Sequence, residues 1–317
     1  MTINRLIPEH LRDLHVSSQQ HPRGQAHLSA ASGLVQVGAR LFVVADDELH
    51  LGMLDAVPAD EPAPRDPQPV ALIGLFEGAL PEDKAKRKVV KPDLETLAWV
   101  PSLPGCPFGA LLALGSGSAP TRQTGVLVAL DANGMTTERI AHIDLTALYG
   151  PLRQQFADLN IEAAFITSGE LRLLQRGNKG DARNACIRYD WNQVAPWLTA
   201  QTPKPPVAKG VQIITLGDID GVPLSLTDGA PLSQGAWVFS AVAENTASSF
   251  DDGPCAGSAV GVMGADGAVR QLHPLEGGPK VEGIAVEVVG NMAVLSLVTD
   301  ADDPAVASQL LRVRMPL

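Results

Sequence analysis

Residues 162–191 read EAAFITSGELRLLQRGNKGDARNACIRYDW. A short apolar run opens on Glu162. A second spans Glu170 to Asn178, a third spans Arg183 to Trp191, and a fourth, GVQIITLGDI, begins at Gly210. Each run is too short for a core helix and is bounded by Gly, Asp or Asn, which is the punctuation of strands. Four such runs in about 60 residues describe one antiparallel meander.

The same unit recurs along the chain. Segments like that at Glu162 begin at Ser32, Glu95, Pro223 and Glu282, so successive starts lie 63, 67, 61 and 59 residues apart. Second runs follow as RLFVVADD from Arg40, ALLALGSGS from Ala110, AWVFSAVAEN from Ala236 and MAVLSLVTD from Met292. Third runs follow at Leu49, Thr124, Ser258 and Ser308, and fourth runs at Pro69, Thr136 and Ala268. A repeat of this length points to an array of equal sheets.

The fifth unit reaches Leu317 after three runs, and Leu11 to Val16 alternates as a strand should. A strand from the N-terminal end that completes the last sheet closes a ring and removes its open edges. The expected fold is therefore all-β: one five-bladed β-propeller of four-stranded blades. The blades are expected at about 30–80, 93–145, 160–219, 221–277 and 280–317 plus 11–16. A six-bladed ring is the alternative, with a blade in 21–32 or 146–160. The second of these reads better as a rim helix, since Leu148, Leu152 and Phe156 recur every four residues. The Pro-rich stretch Val57 to Pro69 is expected as an extended loop, and the basic run Lys84 to Lys88 as a solvated loop.

Composition narrows function. The net charge of −11 opposes binding to phosphate backbones, and 4% aromatics leaves few rings for base stacking, so nucleic acid is not an expected partner. Three distant cysteines without a C-x-x-C make neither a disulfide framework nor a zinc ribbon. The first sixteen residues are charged and carry no apolar signal core, and no long apolar span exists; a cytoplasmic protein without membrane contact is expected.

In such a meander the start of the first strand and the loop after the second lie at one mouth of the ring. That mouth collects Ser32, Glu95, Glu162 and Glu282 from strand starts. From loops it collects Asp46, Asp47, Ser116, Ser118, Arg176, Asn178, Glu244, Asn245, Asp300, Asp302 and Asp303, with Lys91 and Lys280 close by. The opposite face receives turn residues such as Thr167-Ser168-Gly169 and Asp266-Gly267. Two like charges about 6 Å apart repel by about 3 kcal/mol at an effective dielectric of about 20. A bridging cation, a paired Arg or Lys, or a protonated carboxyl relieves that repulsion. Two readings of the repeated glutamates stand side by side: a clamp on the backbone of the next blade, or a functional site.

Other motifs carry less. Gly253-Pro254-Cys255-Ala256-Gly257 has the spacing of a nucleophile elbow without the strand before it and the helix after it. Asp300 to Leu311 lacks the Gly and Glu of an EF-hand, and the seven histidines form no H-x-x-x-H pair.

Ser32-Gly33-Leu34 leading to Ala45-Asp46-Asp47, and Val281-Glu282-Gly283-Ile284 leading to Thr299-Asp300, resemble the blade pattern of phytase-like and esterase-like bacterial propellers. A weaker version is similar to gluconolactonase-like propellers. That resemblance implies a calcium ion in the channel, with Glu95, Glu162, Glu282 and Asn178 at the matching positions. The expectation is a calcium-assisted hydrolase of a small ester, lactone or phosphoester. Glu95, Glu162, Arg176 and Lys280 are its expected catalytic residues. The metal would be held among Glu95, Glu162, Asn178, Glu282, Asp46 and Asp300, and Arg176 and Lys280 would receive an anionic small molecule. A non-catalytic propeller that binds a partner or ligand on the same face, and a purely structural acidic mouth, are the rival expectations.

Overall fold

The computed structural model describes residues 5–245 and 255–317. Blade one holds β2 (Ala31–Val37), β3 (Arg40–Ala45), β4 (His50–Asp55) and β5 (Ala71–Gly74). Blade two holds β6 (Leu94–Val100), β7 (Ala110–Gly115), β8 (Thr124–Leu130) and β9 (Thr136–Asp144). Blade three holds β10 (Ile161–Thr167), β11 (Glu170–Gln175), β12 (Asn184–Asp190) and β13 (Ala208–Ile214). Blade four is β15 (Val222–Pro231), β16 (Trp237–Glu244), β17 (Cys255–Met263) and β18 (Val269–Pro274), with β14 (Asp218–Ile219) added at the inner edge. Blade five is β19 (Val281–Val289), β20 (Met292–Thr299) and β21 (Gln309–Pro316), completed by β1 (Glu9–Asp13).

All sheet pairings are antiparallel, and the innermost strands follow one another around a closed circle, β2, β6, β10, β15, β19 and back to β2. The fold is a five-bladed β-propeller. Apolar side chains fill the spaces between blades: Phe42, Val44, Leu97 and Leu111 between blades one and two, and Phe165, Leu174, Trp237 and Phe239 between blades three and four. No described helix is long and apolar enough to cross a membrane.

Ring closure differs in detail from expectation. The closing strand is Glu9–Asp13, with Glu9 opposite Arg312, rather than Leu11 to Val16. His15 and Val16 have already left the fifth blade and bridge His27 and Val70 of the first. The N-terminal segment thus ties the last blade to the first. Arg312 anchors the tie: it bonds both carboxylate oxygens of Glu9 (2.9 and 3.0 Å) and the carbonyls of Pro58 and Glu61 in the Pro-rich loop.

Three further expectations need correction. The basic run is a helix, α1 (Lys84–Val90), because Asp83 caps its first turn and Arg87 turns inward onto Asp47. The rim helix is present but shorter, α2 (Thr146–Arg153), with Leu148 and Leu152 buried. Asp218 and Ile219 pair with Pro223 and Val222, so they belong to blade four instead of ending blade three.

Each innermost strand carries a β-bulge near its start. The extra residue falls at Ser32-Gly33, Glu95, Glu162, Thr227 and Glu282. A bulge re-aims its side chain and bends the strand. In blade four the equivalent of the repeated glutamate is therefore Thr227, not Pro223. The strands also crowd together here: a methyl on Gly33 would meet the amide of Leu97, and one on Gly283 the carbonyl of Ser32.

Candidate functional site

The bulges and the loops after the second strands converge on one mouth, a cavity of about 570 Å³. Its deepest support is Asp228, the residue after the fourth bulge. Asp228 is buried and accepts backbone N–H groups from its own Gly229 (2.7 Å), from Ile284 of blade five (2.8 Å) and from Leu34 of blade one (3.4 Å). Thr227 beside it donates to the carbonyl of Val281. The clamp between blades exists, but Asp228 and Thr227 supply it rather than the repeated glutamates.

Above that clamp lie two ion clusters. The first spans blades one and two. Lys91 Nζ contacts Asp46 and lies 3.0 Å from Asp93 and 3.3 Å from Asp47. Arg87 bonds Asp47 at 2.9 Å. Arg122 bonds Asp93 and Ser118, each at 2.8 Å, and Ser116 donates to Asp93. Glu95 points into this cluster, yet its carboxyl accepts no hydrogen bond among the described residues.

The second cluster spans blades three to five. Arg176 bonds Glu244 at 2.6 Å, Glu162 at 3.3 Å and Glu282 at 3.4 Å. Asn160 donates a further bond to Glu162. Lys280 pairs with Asp302 at 2.5 Å and Glu282 at 3.4 Å, near Asp300.

Together the clusters hold nine carboxyls and five cations, an excess of four acids. Four of the carboxyls are pushed up in pKa. Burial raises Glu95 well above the usual range, and Glu162, Asp93 and Asp46 add to it. Burial, with Glu282 and Asp93, takes Glu162 to about 8 against the pull of Arg176. Burial takes Asp46 to about 6, with Lys91 opposing and Asp47 and Asp93 assisting. Asp300 is raised by burial, by Asp46 and by Asp302, against Lys280. Asp47 goes the other way: burial would raise it, but Lys91 and Arg87 outweigh burial. The raised values favour protonation, which offsets negative charge that the five cations leave uncompensated.

Glu95, Glu162, Arg176, Lys280, Asn178, Glu282, Asp46 and Asp300 all line the mouth. They do not form one cage. Glu95 and Asp46 belong to the first cluster, whereas Glu162 and Glu282 are held on Arg176. Asp300 accepts the N–H of Asp302, and Asn178 accepts N–H groups within its own loop from Gly180 and Asp181. Arg176 and Lys280 are engaged by carboxylates. Gly253 and Pro254 of the elbow-like pentapeptide lie outside the described residues, and Cys255 opens a strand, not a helix.

Sequence reasoning passed over Asp93, Arg122 and Arg87. Asp93 stands two residues before Glu95 with φ +57°, a conformation that turns the chain into the bulge. Asn160 and Lys280 occupy the same offset before Glu162 and Glu282, so a polar residue two places ahead of each glutamate was a readable signal.

Asp46, Asp93 and Glu95 each place an oxygen within 4.8 Å of the others and could together hold a metal ion. Their all-oxygen chemistry suits a hard cation. Lys91 Nζ already sits against Asp46 and Asp93, so a metal there competes with an ammonium group for the same carboxylates.

Among solved structures the chain is similar to a glutaminyl cyclase from Myxococcus xanthus, at 12% identity over 98% of each chain with a TM-score of 0.47. It is similar to a luciferin-regenerating enzyme, at 9% identity over 90% of this chain and 92% of that one, TM-score 0.43. It is similar to a gluconolactonase from Xanthomonas campestris, at 10% identity over 99% of each chain, TM-score 0.34. At such scores no residue role transfers from them. No curated protein matches the sequence. A family model matches residues 27–315, which include all five inner strands and every residue of both ion clusters, and the chain accordingly belongs to the family of unknown function DUF6929.

Proposed function

We propose that the chain hydrolyses a small polar ester or lactone at this mouth, with Glu95 as general acid and Asp46 as general base. The observation that carries the reading is Glu95: a carboxyl at the opening, without a hydrogen-bond donor among the described residues, beside Asp46 and Asp93. Burial and the carboxylates around it favour its protonated form, which can give a proton to a leaving oxygen. Asp46, at about 6, is mostly ionised at neutral pH and lies within reach of Glu95. Its Oδ1 accepts from no donor among the described residues, which leaves a lone pair for the proton of a water attacking the carbonyl. Two neighbouring carboxyls, one raised to about 6 and the other raised well above its ordinary value, can divide the acid and base roles of hydrolysis. A phosphoester fits less well, because Arg176 and Lys280 are already matched by carboxylates.

A calcium-assisted form of the same reaction is the second reading, favoured by the spacing of Asp46, Asp93 and Glu95. Those three would hold the ion, whose contribution would be to polarise the substrate carbonyl. Lys91 would then shift its bonding toward Asp47.

The test is a panel of small esters and lactones assayed with the wild type, Glu95→Gln and Asp46→Asn, with and without calcium. Either variant should lower kcat/KM by about 100-fold or more. The wild-type profile should rise through about pH 6 and fall above the raised pKa of Glu95. No hydrolysis of any panel member above background, or a Glu95→Gln enzyme with full activity, would refute the proposal. Stimulation by calcium that is lost in Asp93→Asn selects the second reading.

A further inference from the structure

At the end of blade three farthest from the mouth, just past the turn at Ser168-Gly169, three cations surround one carboxylate. Arg172 on β11 and Arg188 on β12 stand directly opposite each other in the ladder. Lys209 comes from a bulge at the start of β13. Glu170 lies 3.7 Å from Arg172, 3.8 Å from Arg188 and 3.0 Å from Lys209. Like charges opposed across a ladder repel, and this pair occurs in a chain whose net charge is −11.

The donors of this group are underused. Among the described residues Arg188 makes no hydrogen bond, and Arg172 makes a single long one, to the carbonyl of Gly235 in blade four (3.4 Å). The Nε atoms of both are buried without an acceptor. Glu170 is too distant from either guanidinium to accept a normal hydrogen bond. Arg188 lies over the bare backbone of Gly210, where a Cβ would come within 3.1 Å of its Nη2. Arg172 is almost enclosed, with 8% of its side chain exposed, whereas Arg188 and Lys209 are 42% and 48% exposed and leave a way in. Planar guanidinium forks beside a lysine match the oxygens of a tetrahedral oxyanion.

We propose that this group of cations on blade three is a binding site for a multiply charged oxyanion of the phosphate class, separate from the mouth. The anion would supply acceptors for Arg172 and Arg188 and cancel their repulsion.

Melting of the full chain in inorganic phosphate and in chloride, at equal pH and ionic strength, tests this. The wild type should melt about 3 °C higher at ten times the dissociation constant for phosphate. Arg188→Gln/Lys209→Gln should lose that shift and, in chloride, melt no lower than the wild type, since the like-charge contact is gone. Lys209→Gln alone should keep a shift at about tenfold weaker affinity. Lys84→Gln/Lys88→Gln, at the rim of the mouth, should keep the wild-type shift. Equal melting of the wild type in both salts overturns the site, as does an undiminished shift in the double variant.

Discussion

The Lys91 cluster and the Arg176 cluster are made of the same groups, yet they are built for different ends. Around Arg176 each glutamate is matched: Glu162, Glu244 and Glu282 share one guanidinium, and Asn160 and Lys280 add to the bonding. Around Lys91 the three aspartates are matched and Glu95 is left over. A fully bonded buried network fixes the relative positions of blades; a network with one spare carboxyl has an atom available to a ligand. The repeated glutamate is thus part of a bonded ion network in two blades and a candidate reacting group in a third, depending on whether a cation reaches it.

The largest effect should come from Arg176→Met. Removing one partner from a buried ion network costs about 3–5 kcal/mol, and calorimetry should show melting lowered by about 10 °C. Unchanged melting would erase the distinction between the clusters. Lys91→Met should cost somewhat less, about 2–4 kcal/mol, because Arg87 and Arg122 still hold Asp47 and Asp93. The same change removes the group that holds Asp46 down, so the rising limb of any activity profile should move above about pH 6.

A smaller effect concerns pH. Glu162 binds its proton more tightly folded, at about 8, than at its ordinary 4.5. The folded state therefore carries more protons between those values, and stability should fall as pH rises from about 4.5 to about 8. Denaturant titrations of Glu162→Gln should show a flatter pH dependence across that window. The smallest effect belongs to Glu95→Gln. A neutral isostere of a carboxyl whose protonated form is favoured, and which accepts from no donor among the described residues, should change stability by less than about 1 kcal/mol. A loss like that of Arg176→Met would place Glu95 among the bonded glutamates.

Much of the architecture is legible in the sequence. Apolar runs of strand length, repeated at intervals of about 60 residues, are a local property of the chain, and five of them imply a ring once a strand is found to complete the last. Three details escaped for physical reasons. The helix at Lys84 depends on Asp83 and on the remote Asp47, so charge density alone misread it. The inner-edge strand at Asp218 was assigned to the wrong sheet, since a two-residue pairing has almost no pattern of its own. The fourth bulge at Thr227 has a neutral side chain and so lacks the acidic mark that Glu95, Glu162 and Glu282 share.

By itself, then, the order of residues determined the number of blades, the register of apolar faces and the set of polar groups that ring one opening, because all three follow from strand period and meander direction. Which of those groups is bonded and which is spare was settled only in three dimensions. Lys91 and Glu95 are four residues apart, yet Lys91 bonds Asp46 from the preceding blade, while Arg176 gathers glutamates from three blades. Charge pairing depends on distance through space, and distance through space across a ring bears no fixed relation to distance along the chain.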